Sequence, residues 1–340
     1  MPSAECTTSP TIRRRSPSPD VHPDEGPLPL DLYALGRGLA YLAALTLVGV
    51  CVFTALIPRW RLAADDDRSL AARALIGAWN IAAGAAALLL VAHLVRAYGQ
   101  VRSFLDPGEP FTWLVARPML FRTTWGRGWA AQVIVALLTL PLALLARRRP
   151  ATGLALLCTA SLAVAATTPL TGHSLEHPWG PQLGVGLHAL HLLGGGAWLG
   201  TLVAMLLAGL IPASSTGLDA APSGETADHA SVRRMVGAFS PVALGAAGLA
   251  VAGGGLLAYA YVGDLTSLWG TRYGVTLLVK VSLLVLTMTL GAWNWRRVKP
   301  RLGTSDATHA LSRSATLELL IGLVLVAVTA VLVALPAPKI

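Results

Sequence analysis

The sequence contains few charged residues and few cysteines. Asp, Glu, Lys and Arg make up 13% of its 340 residues, whereas 54% are hydrophobic and the mean hydropathy is +0.61. A soluble protein of this size does not need so much apolar surface, so we expect a membrane protein. The three cysteines, Cys6, Cys51 and Cys158, have no short spacing, which excludes a disulfide framework and a CxxC metal site. Cys51 and Cys158 lie in apolar runs, where we expect small buried side chains.

The sequence also lacks the motifs of an ATP-driven pump. It contains neither G-x-x-x-x-G-K-[ST] nor the phosphorylatable D-K-T-G. Its net charge of +9 comes from Lys and Arg between apolar runs, as in the loops of membrane proteins. We therefore expect the lipid bilayer as its surroundings, no nucleic-acid partner, and movement of any cargo that is passive or coupled to a gradient.

Eight apolar segments are each long enough to cross a bilayer as a helix. The expected fold class is therefore all-α, a polytopic membrane protein with a bundle of about eight transmembrane helices. Gly and Ala within the segments favour close helix packing. The predicted spans are residues 35–57, 72–97, 128–146, 151–169, 183–211, 237–262, 273–295 and 313–335.

Composition divides the chain into a tail and two membrane halves. Residues 1–30 are rich in Pro, Ser and charge and cannot bury enough apolar area to fold, which predicts a disordered N-terminal tail. Residues 31–170 form an N-terminal four-helix half, and residues 171–340 form a second one. Within the second half, residues 212–233 are predicted to be a flexible cytoplasmic linker.

Lys and Arg concentrate in alternate loops of the second half. The loops between spans 3 and 4, 5 and 6, and 7 and 8 carry Arg clusters, whereas the loop between spans 4 and 5 has neither Lys nor Arg. The positive-inside rule places the three basic loops in the cytoplasm and both termini outside. The loop between spans 2 and 3 also carries several Arg residues, which leaves the topology of the first half open.

Four of the eight histidines lie close together around the start of span 5. His173 and His177 precede the span, with Glu176 between them, and His188 and His191 lie within it on one helical face. Imidazole suits Cu, Zn, Fe and Ni, so four imidazoles beside a carboxylate predict a metal site at the external mouth. Helix–helix hydrogen bonding by His188 and His191 is the structural alternative.

The face that carries His188 continues along span 5. Trp198 and Met205 follow on the same stripe, and the thioether of Met205 is a soft ligand that suits Cu(I). Side-chain packing is the structural alternative for both residues, and it is the more common role of a buried Met or Trp in such a position. His93 in span 2 is a further intramembrane histidine that can join the site.

Two other ionisable side chains fall within predicted spans, Lys280 in span 7 and Glu318 in span 8. Charges inside a membrane are functional candidates by default. The helix rise puts them about 12 Å apart in depth, which argues against a direct salt bridge. A snorkelling Lys280 and a Glu318 near the inner interface are the structural alternatives.

Five segments between about residues 170 and 338 carry a family pattern: TGHS, LHLLGGGAWLGTL, VRRMVGAFSPVALGAAGLAVAGGGLLAY, TRYGVTLLVKVSLLVLTMTLGAWNWRRVKPRL and LELLIGLVLVAVTAVLVALPAP. In this order they resemble the CopD family of copper resistance proteins. The second segment resembles the family's signature helix, in which a His precedes a small-residue run and Trp-Leu-Gly. The first segment resembles its Gly-His at the end of the preceding helix.

The resemblance implies a multi-pass protein of the bacterial cytoplasmic membrane that moves copper ions toward the cytoplasm and is not an enzyme. Carried over by position, the implied metal ligands are His173, His188 and His191, and His177 falls in a loop that varies within the family. The resemblance also implies a CopC-type extracytoplasmic copper-binding partner. We expect that partner to be a separate chain, because the tail is too short to contain it.

Two other functions stay open at this point. A haem-binding membrane cytochrome would use histidines of neighbouring helices as axial ligands, and those of spans 2 and 5 would then face each other. An assembly or sensory scaffold would transport nothing. The sequence fixes neither the direction of transport, the oxidation state of copper, the coupling ion nor the oligomeric state.

Overall fold

The structure, a computed structural model, describes most of the chain. The described ranges are 32–61, 69–106, 109–216, 227–302 and 305–339. Within these ranges the chain is helical and contains no β-strand. The predicted N-terminal tail, residues 1–30, lies outside them.

Eight helices of the described chain are long and apolar enough to cross a membrane, which confirms the predicted fold class. We number them α1 to α8 in chain order. They are Leu32–Trp60, Leu70–Arg102, Thr124–Arg148, Pro150–Thr171, Pro181–Ala213, His229–Val262, Arg272–Arg301 and Asp306–Ala334.

Helical structure extends beyond several of the predicted spans. Helix continues to Thr216 after α5 and is already present from Ala227 before α6, so both ends of the predicted linker are helical. The central part of that linker, residues 217–226, falls outside the described ranges. The loop between α2 and α3 contains a short helix, Trp113–Arg122, that the apolar pattern does not indicate.

Helices α1 and α5 lie at the centre of the bundle. In each of these two helices, 72% of the most apolar 18-residue stretch is buried, whereas in α7 only 6% of the corresponding stretch is buried. Helix α7 packs along α8 at the periphery. Space remains between α7 and the pair α5 and α6, and two of the three cavities described below lie there.

Glycines bring α5 very close to α1. A Cβ atom on Gly49 would overlap the backbone of Gly200, and one on Gly200 would overlap the carbonyl of Leu45. On another side of α5, a Cβ atom on Gly194 would meet the α6 backbone at Ala250. Small residues thus permit close helix approach, as the composition predicts, and these crossings fix the position of the helix that carries His188 and His191.

We expect Gly49→Ala to lower the thermal unfolding temperature of the detergent-purified protein. The added methyl group would force the α1 and α5 backbones apart, and such overpacking costs about 1–3 kcal/mol. Gly84→Ala is the matched control, because a Cβ atom there meets nothing within 4 Å. Equal unfolding temperatures for the two variants would contradict the close crossing.

Candidate functional site

The loop between α4 and α5 holds His173 against the end of α8. Its residues His173–Glu176 form a 3₁₀ turn. The Nε2 atom of His173 lies 3.3 Å from the carbonyl oxygen of Leu335, and its Nδ1 atom lies 3.7 Å from the Glu176 carboxylate. The side chain of Glu176 is 66% exposed and so faces outward. We call this end of the bundle the histidine end, and the opposite end, with the Arg clusters, the basic end.

The imidazole of His177 is buried and serves the loop itself. It packs edge-on against Trp179 and Tyr261. Its Nδ1 atom accepts a hydrogen bond of 3.2 Å from the backbone N–H of Trp179, and its buried Nε2 atom has no partner among the described residues. Burial lowers the pKa of His177. The nitrogen lone pair that a metal ion would need is therefore already engaged.

The imidazoles of His188 and His191 are both anchored through Nδ1. That of His188 lies 2.9 Å from the carbonyl oxygen of Gly184, and that of His191 lies 2.6 Å from the carbonyl oxygen of Ala250 in α6. A carbonyl oxygen only accepts, so Nδ1 carries the hydrogen in each ring. In the neutral ring Nε2 then keeps its lone pair, which is the arrangement found in metal-binding histidines.

Three cavities follow one another from the histidine end toward the basic end. The first cavity has a volume of about 50 Å³. It is lined mainly by residues of α1, α2, α4 and α5 and of the loop between α4 and α5. The second cavity measures about 180 Å³ and the third about 590 Å³. His188 lines both the first and the second cavity, and Trp198 lines both the second and the third. The cavities thus form a row, with these two side chains at its junctions.

The stripe of α5 lines this row. His188 and His191 face the second cavity, Met205 faces the third, and Trp198 stands between them. Lys280 lines the second cavity and Glu318 lines the third, in keeping with their different depths.

The histidines do not converge on one point. Within the described ranges, no three His, Cys, Asp or Glu side chains are placed to hold a single ion. In this conformation the four imidazoles and Glu176 do not form one preformed site, and their part in metal binding stays a prediction. The loop ties His173 to the residue that follows α8, and it ties His177 to Trp179. His173, His188 and His191 line the row, whereas His177 is not among the lining residues of the three cavities.

His93 and His188 line the same cavity, as the haem alternative requires. The Nδ1 atom of His93 is buried and has no hydrogen-bond partner among the described residues. The cavity that the two rings share measures about 50 Å³, and the absorption spectrum of the purified protein tests the haem alternative.

Sequence reasoning missed a polar cluster beside the first cavity. Arg37 of α1 and Arg96 of α2 are buried there, and both donate hydrogen bonds to the hydroxyl of Tyr33. The Nη1 atom of Arg96 also donates to Oε1 of Gln132 at 2.8 Å. The available signal was Arg37 itself, a charged residue inside predicted span 35–57.

A second polar group lies at the third cavity. Glu318 is 5% exposed and accepts a hydrogen bond from Nδ2 of Asn294. The Oδ1 atom of Asn294 is buried and has no partner among the described residues. The nearby Lys299 donates to the hydroxyl of Ser240 at 3.1 Å and not to Glu318. The carboxylate of Glu318 and the Oδ1 atom of Asn294 are oxygen acceptors and therefore suit a cation.

Comparison with known proteins follows the two halves of the chain. Residues 28–178 match the family model described as copper resistance protein D-like, N-terminal domain, and residues 233–332 match that of copper resistance protein D. Copper transport protein CutJ of Bacillus subtilis (strain 168) is 31% identical over 156 residues, which are 46% of this chain and 26% of that protein. The chain thus spans about a quarter of this relative's length. No solved structure matches the sequence of this chain. The two models together cover more than two thirds of the sequence, and the chain belongs to the copper resistance protein D (CopD) family.

Proposed function

We propose that this protein moves copper ions across the bacterial cytoplasmic membrane, toward the cytoplasm, along the row of three cavities. The observation that carries the proposal is the pair His188 and His191, each anchored through Nδ1 and each lining the second cavity. Membership of the CopD family and the similarity to a protein named for copper transport support copper as the cargo.

The side chains along the row suit a soft or borderline cation. Copper enters at the histidine end past His173 and binds to imidazole nitrogen of His188 and His191. The carbonyl oxygens of Gly184 and Ala250 hold these rings in place, which limits the reorganisation that binding requires. Beyond Trp198, the thioether of Met205 and the carboxylate of Glu318 offer further ligand atoms along the third cavity.

The distribution of Lys and Arg gives the proposed orientation. The basic end lies in the cytoplasm and the histidine end outside, which also places both chain termini outside. A separate copper-binding protein of the CopC type then delivers the ion to the histidine end. The basic end carries Arg147, Arg148, Arg149, Arg233, Arg234, Arg296, Arg297, Lys299, Arg301 and Arg313.

Reconstitution of the full chain into proteoliposomes tests the proposal. External copper is supplied as Cu(II) and, with ascorbate, as Cu(I), and internal copper is measured by mass spectrometry. We expect accumulation above that of protein-free liposomes for at least one oxidation state, and a purified protein that binds copper. No accumulation in either state would refute transport and favour the scaffold alternative. A Soret band in the purified protein would favour the haem alternative.

Glu318→Gln should slow copper uptake roughly tenfold, which corresponds to an increase of about 1.4 kcal/mol in the activation free energy. Copper binding at the histidines should stay unchanged. The substitution keeps the shape and the contact with Asn294 but removes the charge from the third cavity. Initial uptake rates and bound copper are measured on the same preparation. Glu109→Gln, at an exposed carboxylate outside the three cavities, is the control. Equal rates for the two variants would show that Glu318 takes no part in the path.

A further inference from the structure

Two arginines lie side by side within membrane-spanning helices, next to the first cavity. Arg37 of α1 is 4% exposed and Arg96 of α2 is 3% exposed. Both guanidinium groups donate to the Tyr33 hydroxyl. Both also reach Thr171, Arg37 at the carbonyl oxygen at 3.1 Å and Arg96 at the hydroxyl. Because they share two partners, the two positive charges lie close to each other.

The partners of these guanidinium groups carry no negative charge. Besides Tyr33 and Thr171, they are the side-chain oxygen of Gln132 and the carbonyl oxygen of Val333. In the part of the chain that the structure describes, neither arginine forms an ion pair with a carboxylate. Buried charges are costly unless an opposite charge compensates them, and two like charges side by side add repulsion. The pair is therefore electrostatically suited to a negatively charged ligand.

The first cavity presents hydrogen-bond donors and no acidic side chain. Both arginines line it, and none of its lining residues is Asp or Glu. The Nε atom of Arg96 is buried without a hydrogen-bond partner among the described residues, and so is Nδ1 of His93, whose side chain lines the same cavity. The face of the Tyr33 ring lies against both guanidinium carbons, at 4.8 Å and 5.3 Å, and so holds the two groups in position.

The size of the cavity limits the class of ligand. Its volume is about 50 Å³. At about 10–15 Å³ of such volume for each water molecule, the cavity has room for a few water molecules or one small ion. We propose that Arg37 and Arg96 form a binding site for a small monovalent anion of the halide class.

A bound anion also affects the movement of copper. This effect rests on the proposed function, whereas the anion site itself does not. His188 lines the same cavity as the two arginines. A copper cation that reaches this imidazole meets the repulsion of two guanidinium charges, because the local dielectric constant is low. A halide bound between the arginines lowers that repulsion. Copper uptake would then depend on halide, whereas halide binding would not depend on copper.

Thermal unfolding of the full chain in detergent tests the site with bromide and chloride as probes. The halide is raised to about 100 mM in exchange for gluconate at constant ionic strength, and we expect Tm to rise by roughly 2–4 °C, because the ligand binds the folded state. The shift should vanish in the double variant Arg37→Gln/Arg96→Gln. It should persist in the control Arg127→Gln, whose exposed arginine contacts Thr124 at the same end of the bundle.

A wild-type Tm that does not respond to halide would overturn the proposal, and so would an equal shift in the double variant. Since the double variant can fail to fold, a second measurement uses the wild-type protein alone. Crystals grown in bromide should give an anomalous peak between the two guanidinium groups, and its absence from an otherwise well-ordered map would also overturn the site. A halide response without any copper uptake would leave the anion site standing and refute only the proposed transport.

Discussion

Replacing His188 and His191 together by alanine should strongly weaken copper binding by the purified protein and slow copper uptake into proteoliposomes. The two rings supply the imidazole groups of the second cavity. Loss of a partner that merely orients a metal-binding histidine already costs about 10–100-fold in affinity, so removing both rings should cost at least roughly 100-fold. The measurement is bound copper per protein, followed by the initial rate of uptake on the same preparation.

A matched control separates the site from general effects of losing histidine. His309 is exposed and lines none of the three cavities, so His309→Ala should bind and transport copper like the wild type. Adding His173→Ala to the double variant should remove the remaining uptake, because this ring lines the first cavity. Unchanged copper content in the triple variant would show that these histidines only join helices, which is the structural alternative.

Displacing the His191 ring without removing it tests whether its position matters for copper binding. A Cβ atom on Gly254 would press on the His191 ring at Cε1 and Nδ1. Gly254→Ala should therefore displace the ring from the carbonyl oxygen of Ala250 while leaving both imidazoles present. Reduced affinity in this variant, with Gly255→Ala as control because nothing lies near its Cβ position, would show that ring placement matters.

The number and order of the helices could be predicted because hydropathy over about 20 residues is a strong signal. The face of α5 could also be predicted, since helical periodicity places His188, Trp198 and Met205 on one stripe, and these side chains line the cavities. Two π-helical turns, Gly196–Gly200 and Leu206–Leu210, interrupt α5 without moving the stripe away from the cavities. Local spacing was sufficient for this part of the site.

The conformation of the loop was not predictable in the same way. The positions of His173 and His177 depend on a 3₁₀ turn and on contacts with α6 and α8, which lie far away in sequence. Spacing predicts four neighbouring imidazoles, whereas the folded loop engages His173 at Leu335 and His177 at Trp179.

The arginine pair was hidden for two different reasons. Arg37 lies in a long apolar run, and a single charged residue hardly lowers the mean hydropathy of such a run. Arg96 lies at the edge of predicted span 72–97, where the sequence pattern does not distinguish it from a loop charge. Only the packing of α1 against α2 shows that the two guanidinium groups meet at Tyr33.

Trp198 is expected to control passage between the second and third cavities. Its side chain is 7% exposed and is shared by the linings of both. Trp198→Ala would join the two cavities and remove an apolar barrier to a cation, so we expect the initial rate of copper uptake to rise roughly tenfold or more, which corresponds to about 1.4 kcal/mol or more off the barrier. Binding at His188 and His191 should stay unchanged. Trp293→Ala, at an exposed tryptophan that stacks on Arg297, is the control.

The competing explanation is that Trp198 only packs the core, and it makes the opposite prediction. A buried Trp replaced by Ala typically loses about 3–5 kcal/mol of stability, so a packing role would reduce the amount of folded protein and leave the rate per folded molecule unchanged. Trp198→Leu keeps an apolar side chain and shortens it, so a barrier role requires an intermediate rate in this variant. Rates that increase from Trp through Leu to Ala, per folded molecule, can arise only if the indole obstructs the path.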